Sequence, residues 1–280
     1  MSASPAAGDP PVRLTVGCDF DVRAAVPTSA VLQVAPHADQ HVTVEREWWE
    51  STDDHHGYVD LYGNRCERLL VAAGPSRIAY RAEVVVHDPA DELAPSAREV
   101  ATGALPDELL HWTLPSRFCQ PDELGYDAWE RFGSIEPGWT RVQAVCDFVH
   151  GHLDYVIGSS NPWTTAVDVY RSGQGVCRDY AHLAVSFCRA LNIPARYVFG
   201  YIPDIGIEPF ETMDYSAWFE ANLDGRWYTF DARLNRPRVG RVVVGRGRDA
   251  VDVAMMTSLG AVELLGFRVI ADELVGDRPA

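Results

Sequence analysis

The sequence contains no uninterrupted hydrophobic run that approaches the ~20 residues needed to cross a bilayer as a helix. Positive charge is also scarce, because 24 lysine and arginine residues stand against 40 aspartate and glutamate residues, giving a net charge of −16. Such a surplus of negative charge repels phosphate backbones and anionic lipid headgroups. We therefore expect neither a nucleic-acid-binding protein nor a membrane-associated one.

Metal-binding and export signals are scarce as well. The six cysteines include no Cys-x-x-Cys pair, so we expect no metal and no cofactor. The segment Met1 to Pro11 lacks the basic region and the apolar stretch of a secretory signal. Free thiols in a chain without an export signal are typical of cytoplasmic proteins, and we expect that location here.

The chain has 280 residues, of which 47% are hydrophobic, and is long enough for a sizeable core. Its first part, residues 12–112, contains short apolar runs with partial alternation, separated by turn residues, which is typical of a β-sandwich domain. The predicted strands are Val12–Asp21, Ala30–Pro36, Val42–Glu50, His56–Tyr62, Cys66–Val71 and Ile78–His87. This part carries no catalytic signature, which favours a structural or partner-binding role.

A linker rich in proline, alanine and acidic residues, Asp88–Asp107, precedes the second predicted domain, residues 113–280. Helices are predicted at Glu123–Phe132, Gly138–Leu153 and Ala166–Ser172. Closing strands are predicted at Val242–Val244, Val262–Leu265 and Phe267–Ile270. We expect the α+β class.

Six arginines are concentrated late in the chain, at Arg233, Arg236, Arg238, Arg241, Arg246 and Arg248. Guanidinium groups suit a carboxylate or phosphate of a substrate. They equally suit the protein's own surplus carboxylates, and the acidic composition favours this second interpretation.

The strongest chemical signal lies between Gly173 and Asp231. Gly173 and Gly175 permit positive φ just before a helical run. That run has one apolar stripe, formed by Tyr180, Ala184, Phe187, Cys188 and Leu191. Cys177 falls in the first turn, where unpaired N–H groups, the helix dipole and Arg178 favour a thiolate. Cys177 is therefore a candidate nucleophile, although most free cysteines are simply small buried residues.

Two aromatic-rich runs flank Asp224-Gly225, which predicts a hairpin with a two-residue turn. Pairing outward from this turn sets Leu223 against Arg226, Phe219 against Phe230 and Trp218 against Asp231. Ser216 then shares a face with Asp231 as a diagonal neighbour, roughly 7–8 Å away between backbones. The hairpin directs both positions toward one site.

Four motifs follow one another in this stretch. They are Gly-Val-Cys-Arg-Asp-Tyr-Ala-His-Leu (175–183), Ala-Leu-Asn-Ile-Pro-Ala-Arg-Tyr-Val-Phe-Gly-Tyr (190–201), Ala-Trp-Phe-Glu (217–220) and Trp-Tyr-Thr-Phe-Asp (227–231). In this order they resemble the bacterial transglutaminase-like superfamily, which shares the core of papain-like cysteine proteases. The resemblance implies a cysteine-bearing helix packed on an antiparallel sheet, preceded in the longer members by an N-terminal domain.

The resemblance also implies a Cys-His-Asp triad. Cys177 matches the nucleophile and Asp231 the orienting aspartate, but the family histidine stands immediately before Ala-Trp, where this chain has Ser216. Serine cannot exchange a proton near neutral pH as imidazole does. Loss of a general base costs on the order of 10²–10⁴ in rate.

No other histidine is an obvious replacement. His182 lies about 140° around an ideal helix from Cys177 and so points away from the thiol. His150 and His152 fall in the predicted helix that precedes the site, and all three are expected to be structural or surface residues.

Three residues are candidate substrate contacts: Trp163, Gln174 and Trp218. Trp163 either lines the acyl pocket or packs for its large apolar area, and packing is the more common role. Gln174 is similar in type to the glutamine that donates to the oxyanion in papain-like proteases. The backbone N–H of Cys177, at a helix N-terminus, is the better oxyanion donor.

Three functions remain open. In the first, the chain is an enzyme in which Cys177 attacks a carboxamide or peptide carbonyl. In the second, it is a catalytically inactive relative that binds peptides or proteins. In the third, it is a scaffold whose N-terminal domain mediates assembly. The retained Cys177, Trp218 and Asp231 favour acyl chemistry, whereas Ser216 favours the inactive binder.

Overall fold

The computed structural model describes residues 10–37, 39, 41–50, 55–208 and 215–274. The strands β1 to β14 are Val12–Ala24, Thr28–Leu32, Val42–Glu50, His55–Val59, Arg65–Val71, Gly74–Val86, Asp154–Tyr155, Gln174–Gly175, Ala195–Tyr201, Ser216–Leu223, Arg226–Phe230, Val242–Gly247, Met256–Ser258 and Val262–Glu273. The helices α1 to α5 are Asp107–Leu110, Pro121–Phe132, Trp139–His152, Ala166–Ser172 and Cys177–Ala190. The fold is α+β, as predicted.

Two four-stranded antiparallel sheets, in the orders β14-β1-β6-β3 and β13-β2-β5-β4, contain all the predicted N-terminal strands. Alternate residues of β1, such as Val16 and Phe20, share one apolar core with Leu32 of β2 and Val71 of β5. This arrangement agrees with the predicted β-sandwich, because each sheet buries one face against the other.

The C-terminal strands complete these two sheets. The two predicted strands Val262–Leu265 and Phe267–Ile270 are one strand, β14, which pairs with β1. The register shifts where Asp21 pairs with Gly266 and the next residue of β1 pairs with Leu264, so a bulge replaces the predicted break. The predicted C-terminal extension therefore packs on the N-terminal sandwich, and residues 275–280 lie outside the described residues.

A third sheet, in the order β11-β10-β9-β12, carries helix α5 on one face. The predicted apolar stripe of α5 is confirmed, since Tyr180, Ala184, Phe187, Cys188 and Leu191 are all buried in one cluster. Phe219 and Ala221 of β10 belong to the same cluster. Helices α2, α3 and α4 pack around α5, so the helix that begins at Cys177 lies at the centre of this half of the molecule.

The segment predicted as a linker, Asp88–Asp107, packs along the core. Glu99 forms an ion pair with Arg141 of α3 at 2.9 Å, and the side chains of both are largely buried. The Asp224 main-chain N–H donates to the carbonyl of Arg98 at 2.8 Å, at the tip of the β10–β11 hairpin. The two halves of the chain are thus joined by a segment that is itself fixed in place.

Candidate active site

Two glycines shape the turn that precedes Cys177, each for a different reason. Gly173 has φ of 70° and ends α4 in the left-handed conformation that glycine favours. Gly175 is needed for space, since a Cβ there would lie 2.8 Å from the Cβ of Asp179. Gly173 is therefore required for its positive φ, and Gly175 because the backbone lies too close to Asp179 of α5 for a side chain.

The first turn of α5 is electrostatically balanced. Asp179 is buried and accepts a hydrogen bond from the Val176 N–H at 2.9 Å. The same carboxylate pairs with the Arg178 guanidinium at 3.0 Å. Arg178 was expected to add positive charge beside the thiol, but its guanidinium pairs with the Asp179 carboxylate, so we assign the stabilisation of a Cys177 thiolate mainly to the helix N-terminus.

Cys177 is the partly exposed one among six free cysteines, and the other five are buried. Burial raises the pKa of the Cys18 and Cys119 thiols to about 12, which makes them poor nucleophiles at neutral pH. The Cys177 Sγ lies 3.7 Å from the main-chain carbonyl oxygen of Tyr215. Since Tyr215 immediately precedes Ser216, α5 brings the thiol next to the first residue of β10.

The predicted register of the β10–β11 hairpin is confirmed for Leu223 opposite Arg226 and for Phe219 opposite Phe230. The strand β11 ends at Phe230, so the predicted pair of Trp218 with Asp231 is not part of the ladder. Asp224 and Gly225 have φ of 50° and 74°, as a type I′ turn requires. On its other side, Ser216 pairs with Gly200 of β9.

Trp218 lies on the face of β10 opposite α5, because side chains alternate along a strand and Phe219 packs toward the helix. Trp218 is 1% exposed. The Arg241 guanidinium carbon lies 4.8 Å from the centre of the Trp218 ring, and Arg241 Nη2 donates to Asp231 Oδ2 at 2.9 Å. Arg241 thereby connects Asp231 to Trp218 of β10.

Both oxygens of Asp231 accept hydrogen bonds within the fold. Oδ2 accepts from Arg241, and Oδ1 accepts from the Arg233 and Leu234 main-chain N–H groups at 3.0 and 2.9 Å. Burial alone would lower the pKa of Arg241, but Asp231 and Asp91 outweigh this and raise it. The sequence placed Arg241 in an arginine-rich segment but did not predict that it would be the residue paired with Asp231.

The comparisons with known proteins support the resemblance. Residues 130–232 match the family model described as the transglutaminase-like superfamily. An uncharacterised protein of Mycobacterium leprae is 31% identical over 220 residues, which cover 74% of this chain and 78% of that protein. The chain belongs to the transglutaminase-like superfamily.

Two further proteins are similar to this chain. An uncharacterised protein of Mycobacterium tuberculosis is 33% identical over 117 residues, covering 38% of this chain and 37% of that protein. A crystal structure from Cytophaga hutchinsonii, named "Putative Cysteine Protease", is 29% identical with a TM-score of 0.85. It covers 97% of this chain and 93% of its own, so the similarity includes the N-terminal sandwich.

The histidines of this transglutaminase-like chain that neighbour the site have other partners. His182 is fully buried and accepts a hydrogen bond from the Ala250 N–H at 3.1 Å. His150 Nδ1 donates to the carbonyl of Arg233 at 2.9 Å, and His152 Nε2 donates to that of Tyr170 at 2.7 Å. In each histidine, one ring nitrogen is therefore hydrogen-bonded to a main-chain group of the protein.

The three predicted substrate contacts occupy different environments. Trp218 is buried, and Gln174 is exposed on the turn before Cys177. Trp163 is 71% exposed, so the packing role expected as the more common one is wrong. Trp163 lies on the loop between β7 and α4, and Arg178 Nη2 holds that loop by donating to the carbonyl of Asn161 at 3.0 Å.

The arginine-rich segment pairs largely with the protein's own carboxylates, as expected from the composition. Arg241 pairs with Asp91 and Asp231, and Arg246 pairs with Glu220. Burial would raise the pKa of Glu220, but Arg246 and Arg196 outweigh that effect and lower it. The remaining partners are Asp204 for Arg238 and Asp252 for Arg248.

A cavity of about 910 Å³ lies on the face of the third sheet opposite α5. Trp218, Glu220 and Arg246 line it, together with residues 86–92, which run from the end of β6 into the connecting segment. Neither Cys177 nor Ser216 is among its lining residues. The cavity is therefore separate from the thiol.

Within the described residues, no helix is long and apolar enough to span a membrane.

Proposed function

We propose that this protein is a cysteine-dependent amide hydrolase or acyl transferase of the transglutaminase-like superfamily, with Cys177 as nucleophile and with an incomplete triad. The observation that carries the proposal is the position of Cys177, a partly exposed thiol at the first residue of α5 and beside the residue that precedes Ser216. The other cysteines are buried thiols without such a position.

The proposed reaction begins when the Cys177 thiolate attacks the carbonyl carbon of a carboxamide or peptide. A carbon–sulfur bond forms, the carbon–nitrogen bond breaks, and the leaving amine takes a proton from water. The N–H groups of the first turn of α5 stabilise the oxyanion. The thioester then transfers its acyl group to water or to an amine, and the thiol is restored.

Ser216 limits this reaction, because no imidazole at that position takes the thiol proton or returns it to the leaving amine. Asp231 keeps the family identity, but Arg241 and two N–H groups occupy its oxygens. Both features favour a second candidate function, in which the chain binds a peptide or protein without turning it over.

The substitution Ser216→His distinguishes the two. We expect it to raise the rate of acylation by p-nitrophenyl acetate by at least about tenfold, since a general base contributes 10²–10⁴ in favourable cases. Ser216→Ala is the matched control that changes the same position without adding a base. Cys177→Ala in the Ser216→His background should abolish the gain, and equal rates for the histidine and alanine variants would contradict the proposal.

Peptides or proteins are the proposed substrates, in keeping with the protease name of the Cytophaga relative. Six free cysteines without a disulfide suit a reducing compartment, which supports a cytoplasmic location. Residues 12–112, together with the C-terminal strands, are proposed to form a structural domain that supports the site-bearing half.

A further inference from the structure

A cluster of apolar side chains lies exposed beside the candidate nucleophile. Ile157 is 85% exposed and Trp163 71%, while Tyr155 and Val156 are 42% and 37% exposed. These residues are termed the apolar rim. Large apolar groups left in water forgo the free energy of burial, and tryptophan is enriched in binding hot spots. Their concentration on one short segment indicates a contact surface.

The rim is attached to the turn that carries Cys177. Strand β7 pairs in parallel with β8, and the Val156 N–H donates to the carbonyl of Gly175 at 3.1 Å. On the other side of Cys177, the Arg178 guanidinium donates to the carbonyl of Asn161 at 3.0 Å. The residues that flank the thiol in sequence therefore hold both parts of the rim.

The same rim reaches the residues that follow Asp231. The Arg233 guanidinium carbon lies 4.3 Å from the centre of the Tyr155 ring. The main-chain N–H of Arg233 donates to Asp231 Oδ1 at 3.0 Å. The rim thus extends from the nucleophile turn to the strand end that carries the aspartate.

The loop that bears the rim is ordered by its own hydrogen bonds and carries no charge. The Trp163 N–H donates to Asn161 Oδ1 at 2.8 Å, and the Asn161 N–H donates to Thr164 Oγ1 at 2.9 Å. Residues 156–165 include no acidic or basic side chain, although the chain has a net charge of −16. A ligand at this surface is selected by apolar contact rather than by charge.

We propose that the apolar rim binds the side chain of the acyl group that Cys177 attacks, and that it selects peptides with an aromatic or large aliphatic residue at that position. The acyl side is chosen because the acyl group stays bonded to the sulfur, beside the rim, while the amine departs. This inference rests on the proposed function for the identity of the acyl group, but the binding step requires no turnover.

The test measures protection of Cys177 from alkylation by iodoacetamide. We expect N-acetyl-L-phenylalanine amide to protect the wild-type thiol at a concentration about tenfold lower than N-acetylglycine amide does, a typical discrimination by an apolar site. Trp163→Ala should remove most of this tenfold preference, and because the side chain is exposed the variant should fold normally. Leu61→Ala, at a leucine between β4 and β5 that is 84% exposed, is the matched control and should keep the preference.

Equal protection by the two amides, or an unchanged preference in Trp163→Ala, would overturn the inference. Failure of the proposed function has a different result. A chain without acyl chemistry would still show selective protection, but mass spectrometry would detect no thioester on Cys177 after exposure to p-nitrophenyl acetate.

Discussion

At position 231 the carboxylate accepts from Arg241 on one oxygen and from two main-chain N–H groups on the other. Arg241 also pairs with Asp91, so one guanidinium neutralises two largely buried carboxylates. Removal of the carboxylate and removal of the guanidinium should therefore differ in their effect on stability. Removal of the Asp231 charge leaves Arg241 paired, whereas removal of Arg241 leaves two buried anions without their cation.

This asymmetry gives a prediction at the scale of single residues. Arg241→Met should lower the free energy of unfolding by about 3–5 kcal/mol, as expected when one partner of a buried ion pair is removed. Asp231→Asn should cost less, about 1–2 kcal/mol, because the amide oxygen still accepts hydrogen bonds. Urea unfolding of each variant measures the difference.

The matched control is Arg226→Met. Its ion pair with Glu92 is about 60% exposed on both sides, with side-chain values of 62% and 57%, and exposed pairs contribute about 0–1 kcal/mol. If Arg241→Met cost no more than Arg226→Met, the buried cluster around Asp231 would not have the structural role described here.

Among the elements, helix α5 determines the position of the thiol and also buries a histidine. His182 is fully buried, stacks on Phe118 and accepts from the Ala250 N–H through Nε2. Burial, with a smaller contribution from Arg178, lowers its pKa from 6.5 to about 3. The ring is therefore neutral in the folded protein at neutral pH, and protonation of Nε2 would break the bond to Ala250.

This buried histidine predicts a pH dependence of stability. In the unfolded chain His182 takes up a proton as the pH falls below its ordinary value of about 6.5, while the folded chain does so only near pH 3. Stability should therefore fall as the pH falls through this window, by about 2 kcal/mol from this residue between pH 7.5 and pH 5. Urea unfolding at the two pH values measures the loss.

His182→Gln is the control, because glutamine offers an acceptor near the position of Nε2 and does not titrate. The difference between wild type and variant should account for the contribution of His182, since the carboxylates titrate alike in both. A wild-type loss no greater than that of His182→Gln would contradict a neutral buried imidazole.

Local signals predicted the elements around the site well. Asp224-Gly225 established the hairpin register through the geometry of the turn. The apolar stripe identified only part of the buried surface of α5, since every residue from Asp179 to Arg189 is buried. Interactions between distant segments could not be predicted in this way. The pairing of β14 with β1 joins the two ends of the chain, and no local pattern encodes that partner.

At the scale of the whole molecule, the site depends on contacts that periodicity does not reveal. The approach of Cys177 to the Tyr215 carbonyl requires α5 to pack on the third sheet, and the role of Arg241 depends on which carboxylates surround it. The missing histidine was visible in the sequence as Ser216. The hydrogen bond between Arg241 and Asp231 was not visible in the sequence, since the segment contains six arginines and nothing distinguished Arg241 among them.

The proposed function requires that folding activates Cys177 rather than merely exposing it. Selective alkylation of Cys177 in the native protein is expected from burial of the other cysteines alone, so selectivity does not test this activation. The more direct comparison is between the native chain and the chain unfolded in urea, where the same thiol is fully accessible but lies at no helix N-terminus.

The decisive measurement is the rate constant for alkylation of Cys177 by iodoacetamide at pH 7 in these two states, followed by mass spectrometry of the peptide that contains it. We expect a faster reaction in the folded protein, because thiolate stabilisation at the start of α5 outweighs the partial burial of the sulfur. A slower reaction in the folded protein would show that folding does not activate Cys177.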